Sequence, residues 1–218
     1  SGNEGTINTI ELYRDLGAWY HVVVDFDSTT ATANDRINLF INGVKSPDAN
    51  KGGTRPAQDS TLQVNVDGQN INIGRDQSTT PDYHTKGYLA QTFFLDGHSI
   101  NDGDLAITDL LDTYTFGTNG SQIVPISDAD MTTVVNAAGD NSFLLDYSDS
   151  GGTDAANLGN DISSNENDVT VNGMAASNQS TNTPSLAYPI MHPDSSGRFL
   201  VSDFALTLGN NLMTYSGG

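Results

Sequence analysis

Ala18-Trp19-Tyr20-His21-Val22-Val23-Val24-Asp25-Phe26-Asp27 and Arg36-Ile37-Asn38-Leu39-Phe40-Ile41-Asn42-Gly43 decide the fold class. Val22, Val24 and Phe26 alternate along the first stretch. Ile37, Leu39 and Ile41 alternate along the second, with Asn38 and Asn42 on the opposite parity. A period of two over this length is the signature of a half-buried strand. Asn42-Gly43 is a dipeptide suited to a tight turn with positive φ. The connector Ser28 to Asp35 is polar. The two stretches read as antiparallel strands with one oily face. Val22, Val24, Phe26, Ile37, Leu39 and Ile41 are expected in one core, joined by Ile71, Ile73 and Phe94.

Working outward, Thr6 to Tyr13 reads as a strand. Ser46 to Ser60, with Pro47, Gly52, Gly53 and Pro56, reads as a long irregular loop. Short strands are expected over Thr61–Val66 and Asn70–Gly74. Tyr88–Leu95 is the most apolar run of the first half and reads as a central strand. Asp96-Gly97 turns the chain. Asn101–Leu111 suggests a short helix. Ser127-Asp128-Ala129-Asp130 is a capping box ahead of Met131, Val134 and Val135, with Gly139 placed to end that helix. Strands are expected at Phe143–Tyr147 and Asp168–Val171, with the polar stretch Ser148 to Asn167 as loop. After Ser177 the composition shifts to Asn, Ser, Thr and Pro, which marks a boundary. Two short strands follow at Arg198–Val201 and Phe204–Leu208.

Several of these pieces resemble one family. Arg14-Asp15, Ala18-Trp19-Tyr20-His21-Val22-Val23-Val24, Ala31-Thr32-Ala33-Asn34-Asp35-Arg36 and Leu39-Phe40-Ile41-Asn42-Gly43 come first. Ile73-Gly74-Arg75, Gly87-Tyr88-Leu89-Ala90, Phe94-Leu95-Asp96-Gly97 and Phe116-Gly117-Thr118-Asn119-Gly120 follow. Leu145-Asp146-Tyr147-Ser148-Asp149, Leu158-Gly159-Asn160-Asp161 and Asn167-Asp168-Val169-Thr170-Val171-Asn172 complete the series. Together they resemble the concanavalin A-like (laminin G-like) domain of bacteriophage virion proteins. The segment around the capping box looks inserted relative to that pattern. The resemblance implies an all-β, concanavalin A-like jelly-roll sandwich with a β-rich extension and one or two short helices. It implies a sandwich over residues 1–100, incomplete at its N-terminus, because that fold needs strands before Arg14. Residues 101–176 would be an extension of the same domain, and residues 177–218 a linker and the start of a further β segment. The implied role is structural or adhesive: a tail-fibre, capsid-fibre or decoration protein, assembled in the host cytoplasm and acting outside it on the virion.

Composition limits the alternatives. Of 218 residues, 27 are Asp or Glu and 8 are Lys or Arg, a formal charge of −19. Phosphate contacts need Lys and Arg, so nucleic-acid binding is disfavoured. Nearly all the acids are aspartates, which suit turns better than helices. There is no cysteine, which excludes disulfides, thiolate metal sites and cysteine nucleophiles. No apolar run is long enough to insert in a membrane.

The chemistry that enzymes on this sandwich use is a cluster of two or three carboxylates at fixed spacing along a strand. Glu4, Glu11 and Glu166 have no such spacing, and Asp25 with Asp27 is the nearest same-face pair. The histidines His21, His84, His98 and His192 are scattered, and no nucleophile elbow, Walker loop or His-Glu-x-x-His motif is present. The chain is therefore expected not to be an enzyme. Calcium is the one cofactor invited, by the oxygen-rich set Asp146, Asp149, Asp154, Asn160 and Asp161. A solvated, turn-rich loop explains the same residues. Tyr83 with Asp82, His84 and Arg75 supplies the aromatic and polar groups of a glycan site, and an ordinary loop is again the alternative. Expected partners are other virion proteins, further copies of the chain in a homo-oligomer, and host-surface glycans. Two other classes remain open. A bacterial surface adhesin or filament subunit would have the same fold without portal or tail-tube genes beside it. A glycan-degrading enzyme would release reducing sugar from polysaccharides.

Overall fold

The computed structural model describes residues 7, 9, 11–15, 18–47, 53–61, 71–74, 85–116, 120–148, 155–180, 205–208 and 211–214. The chain divides into two units, Ser1–Thr183 and Pro184–Gly218. The fold is of the all-β class: among the described residues, small antiparallel sheets with one α-helix.

The stretch quoted first forms β1 (Val22–Phe26) and β2 (Ile37–Ile41), antiparallel, with Val22 opposite Ile41, Val24 opposite Leu39 and Phe26 opposite Ile37. Asn42 and Gly43 take φ of 50° and 76°, as their dipeptide favours. They return the chain into β3 (Val44–Lys45), a strand too short for periodicity to find. The result is a three-stranded sheet in the order β1-β2-β3.

The alternation assigns strand partners correctly but the inner face wrongly. The register puts Val22, Val24, Phe26, Ile37, Leu39 and Ile41 on one face. Most of that face is not the core: Val22 is 54 % and Val24 61 % exposed, and of the row Ile37 alone is buried. The opposite row turns inward, with Val23 and Phe40 buried beside Asp25 and Asn38. Ile71 is also largely exposed. Two buried polar residues thus occupy the positions that period-two logic assigns to solvent. They do so because each finds partners. Asp25 Oδ1 accepts the Ile100 N–H at 3.1 Å, and Oδ2 accepts Asn38 Nδ2 at 3.1 Å. Asn38 Nδ2 also donates to the Asp35 carbonyl at 2.9 Å and to Asn101 Oδ1 at 3.3 Å. Asn101 Nδ2 donates to the same Asp35 carbonyl at 2.7 Å. A buried polar group is tolerated when hydrogen-bonded. This network fastens the 3-10 turn Ile100–Asp102 to the inner face of the sheet.

The core draws on distant parts of the chain. Val23 and Phe40 meet Leu105, Leu110, Met131, Val135 and Leu144, with Phe93, Ile107 and Ile162 among the residues packed against them. Met131, Val135 and Leu144 are fully buried, and each such side chain contributes roughly 1.5–3 kcal/mol. Met131 and Val135 lie on α1 (Asp128–Ala137) at a spacing of four, so they share a helix face. The Ser127 hydroxyl caps that helix, accepting the Asp130 N–H at 3.2 Å and donating to Asp130 Oδ2 at 2.6 Å. Asp128 and Asp130 place negative charge where the helix dipole favours it. The helix ends at Ala137. Gly139 then donates its N–H to the Asp96 carbonyl at 2.9 Å.

Elsewhere regular structure is sparser than the apolar pattern predicts. Of Tyr88–Leu95 only β4 (Thr92–Phe94) is strand. It pairs with β7 (Phe143–Leu145), and Phe94 stacks on Phe143 with ring centroids 5.9 Å apart. The helix expected over Asn101–Leu111 is two 3-10 turns, Ile100–Asp102 and Ile107–Asp109. Residues 71–74 and 168–171 are not strand, although the Val169 N–H donates to the Gly159 carbonyl at 2.8 Å. Between the 3-10 turns and α1, β5 (Asp112–Phe116) pairs with β6 (Gly120–Val124). Among the described residues of the second unit, β8 (Ala205–Leu208) pairs antiparallel with β9 (Asn211–Thr214). The expected strands at 62–66 and 198–201 lie outside the described residues.

Candidate functional site

The outer face of the β1-β2-β3 sheet is the candidate site. Its rows are set by register. Val22 faces Ile41, which faces Val44; Val24 faces Leu39; Phe26 faces Ile37. Val22, Val24 and Val44 stand well out into solvent, Val44 at 70 %. Leu39, Ile41 and Phe26 are half-buried and Ile37 is buried. No residue of these rows is ionisable, in a chain of formal charge −19. Scattered exposed apolar side chains are ordinary; here they form one contiguous apolar row across three strands. Among the described residues no strand pairs with the outer edge of β1. Two residues before Val22, Tyr20 meets Tyr13 edge-on, with centroids 5.5 Å apart and planes at 73°. Tyr13 and Leu12 are exposed in turn.

The inner row supplies the rigid backing. His21 precedes Val23 and Asp25 on that parity. Its backbone N–H donates to Asn42 Oδ1 at 2.9 Å, and the Asn42 N–H donates back to the His21 carbonyl at 2.8 Å. Both ring nitrogens of His21 are buried. Burial pushes its imidazole below the ordinary range, against a smaller opposing pull from the Leu110 backbone. Asp27, the other member of the nearest carboxylate pair, is buried, and its Oδ1 accepts the Thr29 N–H and hydroxyl at 2.9 and 2.6 Å. Both oxygens of Asp25 and one of Asp27 are thus taken up in fixing the sheet and its connector.

The proposed calcium residues fall into separate settings. Asp149 and Asp154 lie outside the described residues, as do the proposed glycan residues Tyr83, Asp82, His84 and Arg75. Asp146 Oδ1 accepts the Ser148 N–H at 2.9 Å, and its Oδ2 bonds the Ser148 hydroxyl. Asn160 is exposed. Asp161 is buried and is the hub of the loop after β7. Its Oδ1 accepts the N–H groups of Leu144 and Ser163, and its Oδ2 accepts the Asn167 N–H, all at 2.9 Å. The Ser163 hydroxyl adds a bond at 2.8 Å to Oδ2. Burial alone would raise the Asp161 carboxyl, but these four donors outweigh it and hold it below the usual range. With its lone pairs so occupied, Asp161 acts as a structural anchor that docks residues 159–167 onto β7. Among the described residues no three His, Asp or Glu side chains converge on a point that could hold a metal ion. Among them, too, no helix is long and apolar enough to cross a membrane.

Comparison with known proteins adds nothing to this geometry: no family model, no curated protein and no solved structure matches the chain.

Sequence reasoning found the residues of the outer face but placed them all inside, where Ile37 alone is buried. The signal that could have corrected it was Asp25 opposite an amide at the matching position, Asn38. A carboxylate and an amide facing each other across a strand pair can satisfy one another and be buried.

Proposed function

We propose that this chain is a non-enzymatic structural and adhesive domain of a bacteriophage virion, a fibre, tail or decoration component. In this reading it is a concanavalin A-like jelly-roll sandwich in which copies of the chain, or neighbouring virion proteins, meet on the outer face of the N-terminal sheet. The observation that carries it is the open, charge-free apolar face backed by a rigid polar network. Two molecules of net charge −19 repel wherever their acidic surfaces meet, and this face is where they can approach. The virion setting comes from the sequence resemblance, and host-surface glycans are the outward partner that setting supplies.

The face is small. Three short strands cover roughly 250 Å², well below the about 800 Å² per partner of a stable pair. A pairwise contact is therefore weak, and repetition along a particle strengthens it through effective concentration. The test is sedimentation velocity of the whole chain up to roughly 1 mM. The wild type is expected to self-associate with rising concentration. Val22→Lys with Val24→Lys is expected to remain monomeric with an unchanged unfolding midpoint, because both positions are exposed. A wild type that stays monomeric throughout, or a variant that associates equally, overturns the proposed contact. Portal or tail-tube genes beside the coding sequence would separate the virion setting from a bacterial surface one.

A further inference from the structure

Trp19, the one tryptophan of the chain, meets Tyr88 with ring centroids 6.2 Å apart and planes tilted by 51°. Tyr88 is 62 % exposed and Leu89 beside it is exposed as well. Neither Trp19 nor Tyr88 belongs to the hydrophobic core or packs against it. The contact thus lies outside the main core cluster. Trp19 is half-buried, so its indole is only partly open where it meets the exposed Tyr88 ring, and the two form a shallow corner. Polar residues lie a few positions away in sequence: exposed Lys86 before Tyr88, and exposed Arg14 and Asp15 before Trp19. Tyr20, adjoining Trp19, places its hydroxyl 3.4 Å from the Asp15 carbonyl.

This corner differs in kind from the aliphatic outer face. Val, Leu and Ile offer apolar surface without donors and suit another apolar sheet. Indole and phenol offer apolar ring faces with an N–H and an O–H at their edges. That combination matches a pyranose, which has a C–H face on one side and hydroxyls around its rim. Large, stiff aromatic side chains also lose little conformational entropy on binding. A chain of charge −19 disfavours an anionic sugar.

We propose that Trp19 and Tyr88 form a binding platform for a neutral pyranose of a glycan. This rests on the glycan-contacting part of the functional reading and not on the assembly face. It moves the sugar contact from Tyr83 and its neighbours to the aromatic corner that follows them in the chain.

Because Trp19 is the sole indole, its emission reports the site directly. The whole chain is titrated with neutral oligosaccharides of glucose, galactose, mannose and N-acetylglucosamine, and with an oligouronate. A saturable change in emission with at least one neutral sugar is expected, and none with the oligouronate. Tyr88→Ala, at an exposed position, is expected to keep the circular dichroism of the wild type and to bind about tenfold more weakly. Tyr83→Ala is expected to bind normally. No saturable change with any neutral sugar overturns the platform and leaves the assembly proposal standing. Unchanged binding by Tyr88→Ala, loss of binding in Tyr83→Ala alone, or preference for the uronate also overturns it. So does a Tyr88→Ala variant that alters self-association but not sugar response, which makes the corner a protein contact.

Discussion

Asn38 is fully buried and donates to three acceptors, one of them the Asp25 carboxylate. Removing it leaves a buried oxygen of Asp25 without its partner. Asn38→Ala is expected to lose about 2–3 kcal/mol in urea unfolding. Val24→Thr on the exposed face should stay within about 0.5 kcal/mol of wild type. Alternation alone orders these two variants the other way, so the pair tests the inner face directly. His21 gives a second prediction. Its folded-state pKa lies below the ordinary 6.5, so the unfolded chain takes up the proton first. The associated stability is fully present above the unfolded value. It is lost as pH falls through about 6.5 and levels off below the folded pKa. The urea midpoint should fall between about pH 7.5 and about pH 5.5, and His21→Phe should flatten that slope. Absence of the slope in the wild type would contradict the burial described for the ring. At this scale the sequence was legible where chemistry is local. Asn42-Gly43 announced its turn and Ser127 its cap. Asp25 was not legible, because one of its partners, the Ile100 N–H, lies 75 residues away.

At the scale of elements, the loop after β7 is held by polar bonds more than by apolar packing. Asp161 gathers four donors, and the Asn165 and Asn167 amides both donate to the Ser142 carbonyl at 2.9 Å. Gly159 is the tight point. A Cβ there would run into the Val169 carbonyl and lie 3.0 Å from a Val171 methyl. Gly159→Ala must therefore push apart residues 159 and 169. The expected cost is about 2 kcal/mol, a fall in Tm of roughly 4–8 °C, read by circular dichroism. An unchanged Tm would show that the bridge to Val169 yields freely. Elements here follow hydrogen-bond supply more than hydropathy, which is why strand expectations failed at 71–74 and 168–171. Their apolar character makes Tyr88 and Leu89 look like the start of a central strand. Exposure, which periodicity does not report, makes Tyr88 a candidate site residue instead.

For the whole molecule, the proposed self-association sets charge and the apolar face against each other. At low ionic strength the net charge of −19 keeps copies apart. Salt shortens the screening length to about 8 Å at 0.15 M and about 3 Å at 1 M, while an uncharged contact face is little affected. Self-association should therefore strengthen as sodium chloride rises, measured by sedimentation equilibrium. Weakening with salt would mean that ion pairs, not Val22, Val24 and Val44, make the contact.

The bond between Asp25 and the Ile100 N–H also sets an order of events. A hairpin such as β1–β2 can form in roughly 1–10 μs. It cannot commit to an inner face until residues 99–101 have arrived, since Val23 with Phe40 and Val22 with Ile41 are comparably apolar. At a synthesis rate of about 5–20 residues per second, the stretch from the end of β2 at Ile41 to Ile100 takes roughly 3–12 s. For that interval the nascent sheet offers two competing surfaces, and anything that seizes the inner one first traps the chain inside out.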